Sequence, residues 1–257
     1  MEERVIVRRE AGIVFLTMSA GSRPSMVDVD TCVALVAALS EISPDKGDRA
    51  VVLNAAGRVF SAGGNLAYIE TTLSDPPRLL GPLIDRFHEV ILALRRLPLP
   101  VVASVHGAAA GAGFSLAMAC DIVVSARSAR FVAGYPKIGT SSDGGLTWFL
   151  SHHIGPRAAL DVFFLREQID ATQAHALGMV NLLVADEELH NQTLEAARRL
   201  AAHPQQAVRE IKTLVGAAVD SGLEQHLARE KDAFLRCAAT PDFQRLVRDF
   251  VNQRKPR

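Results

Sequence analysis

From residue 97 to residue 120 the chain carries no Asp, Glu, Lys or Arg, and this limits its folds more than any other feature of the sequence. An uncharged run of that length is enough to cross a bilayer. Here, however, Pro98, Pro100, His106, Gly107, Gly111 and Gly113 interrupt it. Lipid does not accept exposed irregular backbone, so an interrupted run belongs inside a protein. It divides into a buried strand at 101–105, a glycine-rich turn at 106–111 and a buried helix around 113–119.

The same order recurs along the chain. Residues 5–7 and 12–18 read as two short strands joined by a turn. Val29, Val33, Val36, Ala37 and Leu39 fall near helical spacing, which predicts a helix over 27–42 with Asp28 as its N-cap. Residues 50–54 read as a strand buried on both faces, followed by a glycine-rich turn at 59–65. Residues 66–82 give no clear pattern; a helix over 84–97 then stops at Pro98. Further strands are expected at 121–126 and 129–132. Alternating strand, turn and helix indicates an α/β core. Beyond Asp143 the pattern is almost wholly helical, with helices at 189–202, 206–221, 223–238 and 242–252. In the last, Phe243, Leu246, Val247 and Phe250 share a face. The expected division is an α/β core over 1–190 and a helical region over 191–257.

Composition narrows the function. Among 257 residues, 49% are hydrophobic and 22% charged, an ordinary globular balance. The 28 basic and 28 acidic residues cancel, and no basic block stands out, which argues against a nucleic-acid partner. Cys32, Cys120 and Cys237 are few and far apart, which fits small buried side chains in a reducing cytoplasm. The first ten residues are charged and lack the apolar core of a signal peptide. A cytoplasmic protein without a membrane span is the expectation.

Two turns share one design: Phe60-Ser61-Ala62-Gly63-Gly64-Asn65-Leu66, and His106 through Gly113 with Ala108, Ala109, Ala110 and Ala112 between the glycines. Each follows a buried strand and is poor in side-chain bulk, so a ligand can approach the backbone closely. The second opens directly into a helix, whose free N–H groups and positive dipole end would stabilise an oxygen gaining negative charge. Close packing of a helix across a strand explains the same small residues. Neither turn has the Gly-Lys-Ser/Thr ending of a phosphate-binding P-loop.

Several strings resemble one family in register. Val59 to Leu66 is similar to its F-S-A-G-x-D-L segment. The run from Leu97 to Gly107 is similar to L-P-K-P-V-I-A-A-V-N-G. Ala109 to Gly113, Leu116 to Asp121, and Thr240-Pro241-Asp242-Phe243 with Arg254-Lys255-Pro256 continue the match. The chain is thereby identified as a member of the crotonase, or enoyl-CoA hydratase/isomerase, superfamily. The resemblance implies a spiral of ββα units with a helical C-terminal region that packs in trimers or paired trimers. It implies an acyl-CoA substrate, with coenzyme A as part of that substrate and no separate cofactor. Its oxyanion hole falls on the backbone N–H groups of Gly64 and Ala112, although Asn65 replaces a usual Asp and Ala112 a common Gly. Arg23 falls where the family often has a basic residue near the CoA phosphates, and Ala62, Asn65 and Leu66 flank the substrate.

The family's hydratases use two glutamates, whose positions here hold Ser115 and Tyr135. Neither side chain works as a carboxylate near neutral pH, which disfavours the hydratase mechanism. Asp143 instead stands where several of the family's double-bond isomerases carry one acid. The surrounding pattern resembles the ring-epoxide isomerase branch that serves phenylacetyl-CoA breakdown. Asp143 also precedes Gly144-Gly145 and an apolar stretch, so capping a helix is its competing role. Tyr135, Trp148 and Phe149 are expected to form an apolar pocket beside it, and Ser115 to line that pocket or bond within its helix. His152-His153 offers no metal site, since adjacent helical residues face apart and a third ligand is not in view. The expected activity is acyl-CoA double-bond isomerisation, with an enoyl-CoA hydratase or a non-catalytic CoA-binding homologue as alternatives.

Overall fold

The computed structural model of the chain describes residues 3–19 and 24–253. Its strands, in chain order, are β1 (Val5–Glu10), β2 (Ile13–Met18), β3 (Ala50–Ala55), β4 (Val101–Val105), β5 (Ala108–Ala110), β6 (Ile122–Ala126), β7 (Arg130–Val132), β8 (Ile169–Asp170) and β9 (Leu182–Val184). Six of them form one sheet in the order β1-β2-β3-β4-β6-β9, parallel except for the β1–β2 hairpin. The other three form a small sheet, β5-β7-β8.

Side-chain alternation explains the layers. Val51, Leu53, Val101, Ala103 and Val105 point to one face of the large sheet and join a core with Phe114, Leu116 and Phe131. Ala50, Val52, Val102 and Val124 point to the other face, which is covered by Leu189, Ala197 and Ala201 of α8 (Leu189–Ala202). Both faces are thus dry, which is why these strands read as unbroken apolar runs.

After each central strand the chain steps into the second layer. Following β3, Ser61 bridges to Ala109 of β5; following β4 comes β5 itself; following β6 comes β7, where Phe131 pairs with Ala109. Helices then close the steps: α2 (Leu66–Thr71) and α3 (Pro76–Arg96) after the first, α4 (Ala112–Ala119) after the second, and α5 (Leu146–Ile154) after the third. This is the mixed α/β spiral that the motifs imply. The charge-free run at 97–120 is β4, β5 and α4, and among the described residues no helix is long and apolar enough to cross a membrane.

Other elements frame this core. α1 (Val29–Ser40) starts as expected, with the Asp28 carboxylate accepting from Thr31 N at 2.9 Å. α3 begins eight residues before the sequence pattern predicts. Its first turns hold Pro76, Pro77 and Pro82, which mask a helix in sequence but are tolerated near an N-terminus, where N–H groups lack partners anyway. The region after Asp143 is not wholly helical, because β8 and β9 are too short to show alternation. β9 is aligned by Asn181, whose N–H donates to Val123 O and whose Oδ1 accepts from Val123 N at 2.8 Å. α6 (Pro156–Phe164) and α7 (Ala171–Ala176) fill this part of the chain.

The last three helices are α9 (Gln205–Ala218), α10 (Leu223–Ala238) and α11 (Pro241–Gln253). α9 and α10 are joined by the Glu210 carboxylate, which accepts two bonds from Arg236 at 2.8 and 2.7 Å and one from Gln206 at 2.7 Å. These bonds, the Arg236 pair foremost, hold its carboxyl below the ordinary range. The tie to the core is Asp121. Its Oδ2 accepts from Val101 N at 2.8 Å and pairs with Lys212 Nζ of α9 at 2.7 Å, while Lys212 also donates to Leu94 O and Leu99 O. Both side chains are largely buried, so removing one strands the other's charge. Asp121→Ala is expected to lower unfolding stability by about 3 kcal/mol in urea titrations, with the C-terminal helices losing protection from hydrogen exchange first.

Candidate active site

The two glycine-rich turns meet. Ser61 N donates to Ala108 O at 2.9 Å, and Ala110 N donates back to Ser61 O at 3.0 Å. Around this two-way stitch the backbones are too close for side chains. A Cβ on Gly63 would lie 2.6 Å from Ala110 O, and one on Gly113 would lie 2.4 Å from Ser61 Cβ. The small residues are therefore needed for packing, as one reading of the sequence requires. They also expose backbone.

The stitch gives the two turns a common frame. Counting three residues on from Ser61 reaches Gly64; three on from its partner Ala109 reaches Ala112. Each is preceded by a glycine at positive φ, Gly63 at 88° and Gly111 at 49°. Neither the Gly64 nor the Ala112 amide donates a hydrogen bond among the described residues. Ala112 is the first residue of α4, so its N–H belongs to the positive end of a fully buried helix that has no side-chain cap. Two main-chain donors at equivalent points of adjoining turns are thus without partners among the described residues, and such donors stabilise an anionic oxygen.

A polar cluster stands on the same helix and the loop opposite. Tyr135 Oη donates to Asp143 Oδ1 at 2.7 Å. Ser115 Oγ, one turn into α4, donates to Asp143 O at 3.0 Å and lies 3.2 Å from Tyr135 Oη and 3.4 Å from Gly111 O. Ser115 and Tyr135 are buried, and Asp143 is partly so. Burial first, and then the Asp143 charge, pushes the Tyr135 phenol far above its ordinary range, so it remains a proton donor. The helix-cap role for Asp143 is not realised: Gly145 caps α5, without a side-chain bond, and the carboxylate is engaged with Tyr135 instead.

Two further residues hold the Asp143 loop and carry no sequence signal. His88 of α3 accepts from Gly144 N through Nε2 at 3.3 Å. Phe87 lies where a Cβ on Gly144 would come within 2.2 Å of its ring, and Gly144 has φ of 58°. Both lie more than fifty positions from the loop, beyond any local pattern. Beside Asp143, the Ser142 Oγ is buried and has no hydrogen-bond partner among the described residues.

The remaining sequence candidates are distributed around this centre. Asn65 caps α2 by accepting from Tyr68 N at 3.1 Å; Leu66 opens that helix with 60% exposure, and Ala62 is exposed. Trp148 is half-exposed and stacks on His152 with ring centroids 4.1 Å apart, so no described contact brings it to the Asp143 cluster. Arg23 lies outside the described residues. Burial pushes the Cys32 thiol up to about 12 and the Cys120 thiol up as well, which leaves both unreactive. Among the described residues no group of three His, Cys, Asp or Glu side chains is arranged to hold a metal.

Comparison with known proteins identifies the family. The family described as enoyl-CoA hydratase/isomerase matches residues 8–257. A 1,2-epoxyphenylacetyl-CoA isomerase of Escherichia coli K12 is 33% identical, across 100% of this chain and 98% of that protein. A crotonyl-CoA hydratase of Syntrophomonas wolfei is 28% identical across 98% of this chain and 96% of its own length. The crystal structure of an enoyl-CoA hydratase from Polaromonas sp. JS666 superposes with a TM-score of 0.93 at 34% identity, covering 98% of both chains. Motifs, fold and full-length similarity converge: the chain belongs to the enoyl-CoA hydratase/isomerase family.

Proposed function

We propose that the chain is an acyl-CoA double-bond isomerase that works with one carboxylate. The observation that carries this reading is the bonding of Asp143 to Tyr135 and Ser115. By the family resemblance, those two residues stand where a hydratase has its pair of glutamates. The cluster therefore holds one proton-accepting carboxylate, attended by two hydroxyls that stay neutral. The full-length similarity to a protein named as an isomerase supports the same choice.

In this reading the thioester carbonyl of a 3-enoyl-CoA sits against the Gly64 and Ala112 amides. Asp143 removes a proton from C2, and the electron pair moves to the thioester oxygen. As the enolate collapses, Asp143 returns the proton to C4, and the double bond lies between C2 and C3. Nothing is gained or lost overall, so no water, metal or redox partner enters the balance. The amides act mainly on the enolate, since their attraction grows as the oxygen becomes anionic.

Assembly follows from the exposed apolar side chains of the C-terminal helices, among them Ile211, Val215, Leu227 and Phe234, each at least 53% exposed. A surface of that kind is costly to leave in water, and trimers or paired trimers are the family arrangement that covers it.

Two measurements test the reaction. Purified protein should convert a 3-enoyl-CoA to the 2-enoyl product, and Asp143→Asn should reduce that rate by about 10²–10⁴-fold. Water addition to crotonyl-CoA at a comparable rate would favour the hydratase alternative, and binding without exchange of α-protons a non-catalytic role. Ala112→Pro removes one amide at a helix position that accepts proline. It should lower the rate by about two orders of magnitude, corresponding to roughly 3 kcal/mol for one oxyanion donor.

A further inference from the structure

We propose that Tyr135 is a positioning residue that holds Asp143 through its Oδ1 oxygen, leaving Oδ2 to move the proton, and that Ser115 ties the Asp143 loop to the helix that begins with the Ala112 amide. The inference rests on the isomerase reading and assigns Tyr135 a role other than touching the substrate.

The hydrogen-bond inventory fixes the directions. An ionised carboxylate only accepts, so the bond at 2.7 Å between Tyr135 Oη and Asp143 Oδ1 uses the phenol's single proton. Ser115 also has one proton, with three oxygens around it: Asp143 O at 3.0 Å, Tyr135 Oη at 3.2 Å and Gly111 O at 3.4 Å. The nearest is Asp143 O, so the Ser115 proton holds the Asp143 loop. Asp143 Oδ2 has no hydrogen-bond partner among the described residues. The two oxygens are thus unequal, one held and one available.

Burial makes the arrangement stiff. Ser115 is fully buried and Tyr135 is only 8% exposed, so the phenol has little access to water, and the Asp143 backbone also approaches its oxygen. Gly111 is the residue whose carbonyl Ser115 approaches, and Ala112 follows it with its unpartnered N–H. Ser115 is on α4, so its bond to Asp143 O ties the Asp143 loop to the helix that begins with Ala112. A proton shuttle between C2 and C4 needs such a connection. The carboxylate must reach both carbons while the carbonyl stays fixed, and displacement by about 1 Å costs on the order of 10²-fold in rate.

The test uses Tyr135→Phe, which keeps the ring. With cis-3-hexenoyl-CoA, kcat should fall about 10–100-fold while KM changes less than about threefold, because the variant loses orientation and not substrate contact. In deuterated water the wild type should return much of the C2 proton to C4, whereas Tyr135→Phe should incorporate more deuterium there. Combined with Asp143→Asn, Tyr135→Phe should cause no additional loss, since Tyr135 acts only through that carboxylate. Ser115→Ala, which retains the phenol, should show the same split with a smaller fall and serves if Tyr135→Phe does not fold. A raised KM with unchanged kcat, or a full additional loss in the Asp143→Asn background, would overturn the proposal and make Tyr135 a substrate contact. Retained turnover in Asp143→Asn alone would instead sink the isomerase reading on which it rests.

Discussion

The pair of hydrogen bonds between Ser61 and the Ala108–Ala110 backbone is the constraint on which the rest of the structure depends. It ties the end of one strand-to-helix step to the middle of the next, at a separation where Gly63 and Gly113 have no room for side chains. Positive-φ glycines then turn the chain away on both sides, which leaves the Gly64 and Ala112 amides without partners among the described residues. Ala112 opens a fully buried helix, where an unpaired amide costs roughly 1–3 kcal/mol.

The rest of the molecule keeps that region rigid. Dry packing on both faces of the large sheet fixes β3 and β4, whose ends carry the two turns. Asp121 joins the start of β4 to α9 through Lys212, so the C-terminal helices are anchored to the same strand. On the opposite side, His88 and Phe87 of α3 grip Gly144 and thereby the loop bearing Asp143. Three separate elements thus hold the polar cluster, which has few degrees of freedom of its own.

Much of this is legible in the sequence, for reasons that can be stated. β3, β4 and β6 show as uninterrupted apolar runs because both faces are buried, and α1 shows through the Asp28 cap. α10 is bounded correctly because its helical pattern begins just after Gly222 and ends just before Ala239. What stays hidden is of two kinds. Some segments are short or compositionally ambiguous: three alanines of β5 read as turn, and the prolines of α3 read as an interruption. Other features are relations across the fold. Sequence can nominate Ser115, Tyr135 and Asp143 one at a time through family register, but not their mutual bonds. Nor can it point to His88, whose role comes only from α3 passing beside the loop.

The unpartnered amides at Gly64 and Ala112 belong to the main chain, and this makes heredity act unevenly on such a centre. A carboxyl group can be gained or discarded by one codon change. An amide persists through nearly every codon and is lost only to proline or to a bend in the chain. On such a scaffold a change of side chain alters the proton-handling groups while the main-chain donors pass on unchanged, as shape and not as spelling.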